Sequence, residues 1–322
     1  MKLNLSDVSK SLSFLIVSSS LLSGGAYAQS SSARTDDGEF KVIEFHVHPP
    51  DVPLPLRSPD KTIAYMDEMN VEFAVLNGAP AYLEAWTKAH PDRFIPALQF
   101  PCLDGQIAIT DDPAIQCFEG NKVWPDLGWL EGEIKSGRIK MLGEISTEYF
   151  GIFANDAKLD PYYELAVKYD IPVLIHTGLG PEGGPAYRYK RSANYRAATS
   201  NPIYIEDVML RHKKLRMVVQ HAGWPYISEM INVLYHHPGV YVDVAALQLT
   251  ARKEYYYFLK RLVDAGYGER ILYGSDFDWE TKNGVEAILS ADFLTDEQKE
   301  DILYNNARRF LRLDKSDKDQ DQ

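Results

Sequence analysis

Short apolar runs alternate with longer amphipathic stretches along most of this chain. Several of the runs have consecutive apolar residues, as in Val173–Ile175 and Met217–Val219, which is typical of strands buried on both faces. Stretches with helical periodicity, such as Tyr162–Tyr169 and Tyr226–Tyr235, lie between the runs. The pattern predicts eight strands, which span Val42–Val47, Val71–Asn77, Phe94–Phe100, Ile139–Ile145, Ile171–His176, Leu215–Gln220, Val240–Ala245 and Ile271–Gly274.

Eight parallel strands with crossover helices over about 250 residues have the size of a (β/α)8 barrel. A doubly wound open sheet is the alternative, but no G-x-G-x-x-G or G-K-[ST] motif follows any of these strands. We therefore predict one α/β domain, a TIM barrel, over residues 40–313. Two long loops, 101–137 after the third strand and 178–202 after the fifth, are expected to shape a substrate pocket, because such loops build the active sites of barrel enzymes.

The amino-terminal segment has the features of a secretory signal peptide. Lys2 and Lys10 precede the apolar stretch Leu12–Leu22, and Ala26-Tyr27-Ala28 offers small residues for cleavage. A membrane anchor is the alternative, but serines interrupt the stretch, which is shorter than the roughly 20 apolar residues of a spanning helix. We predict a signal peptide over residues 1–28 and a periplasmic or secreted mature protein.

The two ends of the mature chain differ from the barrel region in composition. Residues 29–39 form a polar leader that is rich in serine and aspartate. Thr295–Gln298 has the sequence of a capping box, which predicts a helix that runs to about Leu311. The charged segment 314–322 is predicted to be a disordered tail.

Composition narrows the partners and the chemistry. The 322 residues contain 34 Lys and Arg against 46 Asp and Glu, for a formal net charge of −12, which disfavours nucleic-acid binding. The two cysteines, Cys102 and Cys117, are too few for a multi-cysteine zinc module. Because both lie in one long loop of an exported protein, a disulfide is favoured over free thiols. Metal chemistry would have to use histidine and carboxylate ligands.

Four of the eight histidines fall at the carboxyl ends of predicted strands. His46 and His48 end the first strand, and strand periodicity points both side chains to the same side. His176 follows the fifth strand, His221 the sixth, and Asp276 the eighth, which in a barrel lies beside the first. Imidazoles and a carboxylate at one rim suit zinc with an open position for water. The remaining histidines lie near predicted helix ends, away from this rim: His90, His212, His236 and His237.

Several motifs together resemble a known family. They are Phe45-His46-Val47-His48, Leu142-Gly143-Glu144-Ile145, Ile175-His176-Thr177-Gly178, Gln220-His221-Ala222-Gly223-Trp224-Pro225, Gly274-Ser275-Asp276 and Ile302–Phe310. In order and spacing they resemble the amidohydrolase-related branch of the amidohydrolase superfamily, whose members include metal-dependent hydrolases and decarboxylases similar to aminocarboxymuconate semialdehyde decarboxylase. The resemblance implies that His46, His48, His176 and Asp276 hold one divalent metal ion, most simply zinc, and that His221 is a catalytic residue beside it.

Proton transfer and metal number follow from these assignments. Since a divalent cation lowers the pKa of water toward neutrality, His221 and Asp276 are the predicted proton-handling residues. Glu144 ends the fourth strand, where dinuclear members of the superfamily often place a bridging carboxylated lysine. It could bridge a second metal or orient a histidine, and the branch that this chain resembles usually works with one metal.

Side chains in the loops suggest the class of substrate. Arg188 and Arg191 lie among tyrosines in the loop after the fifth strand, a mixture suited to a carboxylate-bearing or aromatic substrate, although a solvated loop face would look the same. Trp224 and Trp279 follow the sixth and eighth strands and are expected to line the pocket, with packing against barrel helices as the alternative.

Three functions remain open at this stage. The first is an exported metal-dependent hydrolase that attacks a C–N or C–O bond of a small substrate. The second is a non-oxidative decarboxylase, disfavoured slightly by the H-x-H motif because some decarboxylases of the family have glutamate in place of the first histidine. The third is a metal-containing binding protein without turnover. The expected partner is a small molecule, with no nucleic acid and no membrane anchor after signal cleavage, and homodimer formation is left open.

Overall fold

The computed structural model describes residues 32–48, 58–102, 118, 123–178, 180, 184–188 and 192–313. The predicted signal peptide, the first residues of the leader and the predicted tail therefore lie outside the described residues. Cys102 is disulfide-bonded, and Cys117 lies outside the described part of the chain. Among the described residues, no helix is long and apolar enough to cross a membrane.

Parallel strands form the centre of the fold. They are β1 (Val42–His48), β2 (Val71–Gly78), β3 (Phe94–Phe100), β4 (Met141–Ile145), β5 (Val173–Ile175), β6 (Met217–Val219), β7 (Val240–Asp243), β8 (Ile271–Leu272) and β9 (Asp276–Phe277). Their order is β8-β7-β6-β5-β4-β3-β2-β1-β9, and all neighbouring pairs are parallel. Each of the eight predicted strands is present. The eighth, predicted over Ile271–Gly274, is shortened to β8, and β9 follows as a further short strand.

The segment between β8 and β9 joins the two ends of the sheet. The Phe45 N–H donates to the Tyr273 carbonyl at 2.8 Å, and the Ser275 N–H donates to the His46 carbonyl at 3.2 Å. On the other side, the Val244 N–H donates to the Leu272 carbonyl at 3.2 Å. The chain from β8 to β9 therefore lies between β7 and β1, and the predicted TIM barrel is confirmed.

Helices alternate with the strands, as the amphipathic stretches predicted. They are α1 (Pro59–Glu68), α2 (Pro80–Ala89), α3 (Leu127–Lys135), α4 (Asp160–Tyr169), α5 (Pro185–Arg188), α6 (Ile205–Arg211), α7 (Ile227–His236), α8 (Arg252–Asp264), α9 (Thr281–Leu289), α10 (Asp296–Glu300) and α11 (Asn306–Leu311). The predicted capping box is confirmed, because the Thr295 hydroxyl accepts from the Gln298 N–H while the Gln298 side chain accepts from the Thr295 N–H. A π-helical turn over Asp301–Asn305 links α10 to α11.

Apolar packing fills the barrel at the end away from the histidines. Strand side chains such as Phe73, Ile95 and Leu174 are fully buried and belong to one cluster with Phe45 and Phe310. The rings of Phe45 and Phe310 meet edge to face at 5.5 Å, so α11 covers this end. Burial of these rings stabilises the barrel without polar groups, which leaves the carboxyl ends of the strands for chemistry.

Candidate metal centre

Seven ionisable side chains converge at the carboxyl ends of the strands. They come from β1 (His46 and His48), β4 (Glu144), the residues after β5 and β6 (His176 and His221), the end of β7 (Asp243) and the start of β9 (Asp276). Five are buried, and His48 and Asp276 are partly exposed. So many ionisable groups packed together out of water need compensating charge or ligands, which makes this cluster the candidate functional site.

The first group of donors contains His46, His48 and Asp276. The two Nε2 atoms are 3.2 Å apart, and Asp276 Oδ1 lies 3.3 Å from His46 Nε2 and 3.4 Å from His48 Nε2. Glu144 adds Oε2 at 3.4 Å from His48 Nε2. Four donors placed tetrahedrally about 2.1 Å from one cation are about 3.4 Å from each other. The spacing of this donor set therefore fits a divalent cation.

The second group of donors contains Glu144, His176 and His221. Glu144 Oε1 lies 2.5 Å from His176 Nδ1 and 3.4 Å from His221 Nε2, and these two nitrogens are 3.2 Å apart. The resemblance in sequence predicts that His176 shares one cation with His46, His48 and Asp276. The structure brings the latter three together and places His176 Nδ1 in the second group, with Glu144 touching both groups.

Hydrogen bonds assign the proton positions on two of these histidines. His46 Nδ1 lies 3.0 Å from Asp243 Oδ2, and His221 Nδ1 lies 2.9 Å from the Ala245 carbonyl. Because a carboxylate and a carbonyl only accept, each Nδ1 carries the hydrogen. The Gln220 amide nitrogen also lies 3.1 Å from His46 Nδ1, but the charged Asp243 carboxylate is the stronger partner. The Nε2 atoms of His46 and His221 therefore point into the cluster, where each can bind a cation once it has no proton.

Glu144 is an ionised carboxylate in the middle of four imidazoles. Burial alone would raise its pKa, but the charge of His176 and hydrogen bonds from His176, His221 and His48 hold the pKa of Glu144 well below its usual value. Burial lowers the pKa of His221, yet the hydrogen bond to Glu144 and the charge of Asp276 raise it overall to about 10. Without a cation, the cluster therefore balances its carboxylates with bound protons.

Local backbone conformation turns two of the donors toward the cluster. His221 and Ala222 have φ values of 56° and 48°, and Asp276 has a φ of 72°. Residues other than glycine adopt this left-handed region at an energetic cost, and such residues are concentrated at functional sites. The turn after β6 and the break between β8 and β9 are therefore where the fold orients His221 and Asp276.

Three acidic residues of this region were not selected from the sequence. Asp243 Oδ1 accepts from the backbone N–H groups of His221 at 2.9 Å and Ala245 at 3.1 Å, while Oδ2 faces His46. Asp243 lies inside the predicted strand Val240–Ala245 and ends the shorter observed β7, so selecting residues at the ends of predicted strands did not find it.

Glu44 and Glu148 are the other two. Glu44 Oε1 accepts from the Ser275 N–H at 2.7 Å and from the His46 N–H at 3.3 Å, which links β1 to the segment before Asp276. Glu148 lies 3.5 Å from His176 Nε2. Glu44 precedes the H-x-H motif inside a strand, and Glu148 follows β4 in a short 3₁₀ segment, Thr147–Phe150. No spacing pattern in the sequence distinguishes either residue from a surface glutamate.

The predicted substrate-binding residues are only partly described. Arg188 ends α5, and its side chain lies outside the described part of the structure, as does all of Arg191. Trp224 is half-buried and packs against the apolar core, the alternative considered for it above. Trp279 is 40% exposed and stacks on Phe277 with ring centroids 4.7 Å apart.

The remaining histidines make contacts of their own. His90 Nε2 lies 2.8 Å from Asp60 Oδ1, and His212 Nε2 lies 2.8 Å from Asp160 Oδ1. His236 Nδ1 donates to the Asn232 carbonyl within α7. The backbone carbonyl of His237 accepts a hydrogen bond from the Arg270 guanidinium. None of the four belongs to the donor groups found among the described residues.

Solved structures with the same fold include enzymes of two reaction classes. An uncharacterized TIM-barrel protein from Bordetella bronchiseptica has a TM-score of 0.61 at 20% identity, covering 85% of this chain and 99% of that one. A probable 2-pyrone-4,6-dicarboxylic acid hydrolase from Acinetobacter baumannii has a TM-score of 0.55 at 14% identity, with coverages of 85% and 100%. A dihydroxybenzoic acid decarboxylase from Polaromonas with bound manganese has a TM-score of 0.55 at 13% identity, with coverages of 86% and 98%. At these identities the likeness shows the fold alone.

Sequence comparison identifies the family. No curated protein matches the chain. The sequence model described as amidohydrolase matches residues 74–313, which is well over half of the 322 residues. The match begins within β2, so it includes Glu144, His176, His221 and Asp276 and leaves out the H-x-H motif. The chain belongs to the amidohydrolase family.

Proposed function

We propose that this protein is an exported metal-dependent hydrolase that acts on a C–N or C–O bond of a small molecule. The observation that carries the proposal is the convergence of four histidines with Glu144 and Asp276 at the carboxyl ends of the barrel strands. In barrel enzymes this end contains the active site. The apolar packing at the opposite end supports the same assignment.

The first donor group would hold a divalent cation through His46, His48 and Asp276. When bound, such a cation supplies Lewis acidity, which polarises a carbonyl group and lowers the pKa of water. Zinc is our first candidate because the donors are imidazole and carboxylate. The manganese in the Polaromonas decarboxylase makes manganese the first competitor, and metal analysis of protein purified without added metal distinguishes the two.

Glu144 supports a second cation position. Its Oε2 faces His48 in the first group, and its Oε1 faces His176 and His221 in the second. Of the two roles considered for Glu144, bridging fits this geometry better than orienting a single histidine. We expect the native protein to bind two zinc equivalents and the Glu144→Gln variant to bind fewer. Saturation of the native protein at one equivalent would support the single metal that the sequence analysis favoured.

Proton transfer is assigned to Asp276 and His221. Asp276 is partly exposed at the mouth, so its carboxylate can exchange a proton with a substrate entering from solvent. His221 Nε2, whose direction is fixed by the hydrogen bond of Nδ1 to the Ala245 carbonyl, would transfer a proton in the form with one cation and would bind the second cation in the form with two. Asp276→Asn and His221→Ala are expected to lower turnover at least 100-fold. Undiminished turnover in both variants would contradict these roles.

Decarboxylation is the second candidate function, and the fold similarity to the Polaromonas decarboxylase favours it. In that reaction Arg188 or Arg191 would bind the substrate carboxylate, and His221 would protonate carbon. The deciding experiment measures carbon dioxide release from aromatic and enoic acids beside hydrolysis of lactones, amides and esters. Hydrolysis without carbon dioxide release supports our proposal. Carbon dioxide release without hydrolysis supports a decarboxylase. Ligand binding without turnover of any substrate would support the binding-protein alternative.

Export is proposed from the sequence of residues 1–28. Amino-terminal sequencing of the mature protein is expected to begin near Gln29, with the protein in the periplasm of a diderm host or in the medium. A chain that keeps Met1 and stays inside the cell would contradict export. Light scattering on the same preparation measures the oligomeric state and decides between a monomer and a homodimer.

A further inference from the structure

Glu148 is a buried carboxylate that the proposed chemistry does not use. It lies in the 3₁₀ segment Thr147–Phe150 directly after β4, and it is 2% exposed. Neither carboxylate oxygen has a hydrogen-bond partner among the described residues. His176 Nε2 lies 3.5 Å from Oε1, and this nitrogen also lacks a hydrogen-bond partner among the described residues. Two buried polar groups that face each other in this way call for a functional explanation.

The ring of His176 lies between two carboxylates. Nδ1 faces Glu144 Oε1 at 2.5 Å and His221 Nε2 at 3.2 Å, so it belongs to the second donor group. Nε2 faces Glu148. A neutral imidazole has one N–H and one lone pair. If Nδ1 is to bind a cation, the hydrogen must be on Nε2, the nitrogen directed at Glu148.

Packing fixes the ring in this orientation. The Tyr149 ring meets the His176 ring edge to face at 5.2 Å, and the His221 ring does so at 4.5 Å. The His176 N–H donates to the Ile145 carbonyl at 3.0 Å. The Thr199 hydroxyl lies 3.4 Å from the Glu148 carbonyl, which ties the 3₁₀ segment to the loop after β5.

We propose that Glu148 is a positioning residue that accepts the Nε2–H of His176 and so presents the Nδ1 lone pair to a cation. An acceptor oxygen is available whether or not the carboxyl group is protonated. Removing such a partner of a ligating histidine typically lowers metal affinity 10- to 100-fold. The inference rests on the proposed function only in requiring that the second donor group bind a cation.

Nitrogen NMR of the full chain with ¹⁵N-labelled histidine and added zinc tests the proposal directly. The long-range proton–nitrogen spectrum shows which ring nitrogen carries hydrogen, and the His176→Gln variant assigns the signals. We expect His176 to have a protonated Nε2 and a zinc-bound Nδ1. A zinc-loaded native protein with hydrogen on Nδ1 would overturn the proposal while leaving the proposed function intact. A native protein that bound no zinc would overturn both.

Substitutions at Glu148 supply the second measurement. Glu148→Gln keeps an acceptor oxygen, so zinc affinity should change less than tenfold and the tautomer should persist. Glu148→Leu removes the acceptor, and we expect a 10- to 100-fold loss of affinity with a mixed tautomer. Glu254→Leu, at an exposed position of α8, is the control and should bind like the native protein. If Glu148→Leu does not fold, the native spectrum and Glu148→Gln still decide. Equal affinity and tautomer in Glu148→Leu and the native protein would contradict the proposal.

Discussion

Asp243 shows how one buried carboxylate can orient two other donors of a site. Its Oδ2 fixes the hydrogen on His46 Nδ1, and its Oδ1 accepts the backbone N–H groups of His221 and Ala245. A single side chain therefore sets the tautomer of one donor and the backbone position of another. With 0% exposure, it has no competition from solvent for these hydrogen bonds.

The variant Asp243→Asn tests this role. One amide oxygen cannot replace both carboxylate oxygens, and the NH₂ group must face either His46 Nδ1 or two backbone N–H groups. We expect zinc affinity to fall 10- to 100-fold and the free energy of unfolding to fall by about 1–3 kcal/mol. Competition with a chelator and urea unfolding measure the two effects. Asp292→Asn, at an exposed position, is the matched control. Native-like zinc binding by Asp243→Asn would show that another group sets the His46 tautomer.

Elements of the barrel were easier to predict than the details of the site. Runs such as Val173–Ile175 are apolar enough to identify buried strands, and strand ends select His46, His176 and Asp276 without any structure. The pairing of His176 with Glu144 rather than with His46 depends on ring orientation and on where the sheet closes. Strand periodicity predicts neither the ring orientation nor the point at which the sheet closes. Glu148 depends on a turn after β4, which local sequence does not specify.

Closure of the barrel beside the donors depends on the absence of a side chain at Gly274. A Cβ there would lie 2.7 Å from His46 Cβ and 3.1 Å from Ala245 Cβ. The Gly274→Ala substitution must therefore push the segment between β8 and β9 away from β1. We expect a loss of about 1–3 kcal/mol in the free energy of unfolding together with weaker zinc binding.

Gly132→Ala is the control for that substitution. Gly132 lies in α3 with nothing within 4 Å of an added Cβ, so alanine there should raise the free energy of unfolding by up to about 1 kcal/mol. Urea unfolding of both variants should therefore give shifts of opposite sign. A Gly274→Ala protein as stable as the native one would show that the strands can separate without cost.

At the scale of the whole molecule, buried acids link stability to pH. Burial raises the pKa of both Glu44 and Glu148 to about 8, against an ordinary value near 4.3 for glutamate in an unfolded chain. Between these values the unfolded chain has released the two protons while the folded protein still binds them. By linkage, the free energy of unfolding falls as pH rises from about 4.5 through about 8.

The pH dependence of the free energy of unfolding should be measured on metal-free protein in the presence of a chelator. We expect a lower urea midpoint at pH 8.5 than at pH 5.5. Because the net charge of −12 also becomes more negative as pH rises, the decisive comparison is between variants. Glu148→Gln cannot ionise, so its decline over this range should be smaller than that of the native protein, whereas Glu254→Gln should match the native decline. If Glu148→Gln lost as much stability with rising pH as the native protein, Glu148 would have to be ionised throughout, and the buried carboxylate would need a permanent positive partner in the cluster.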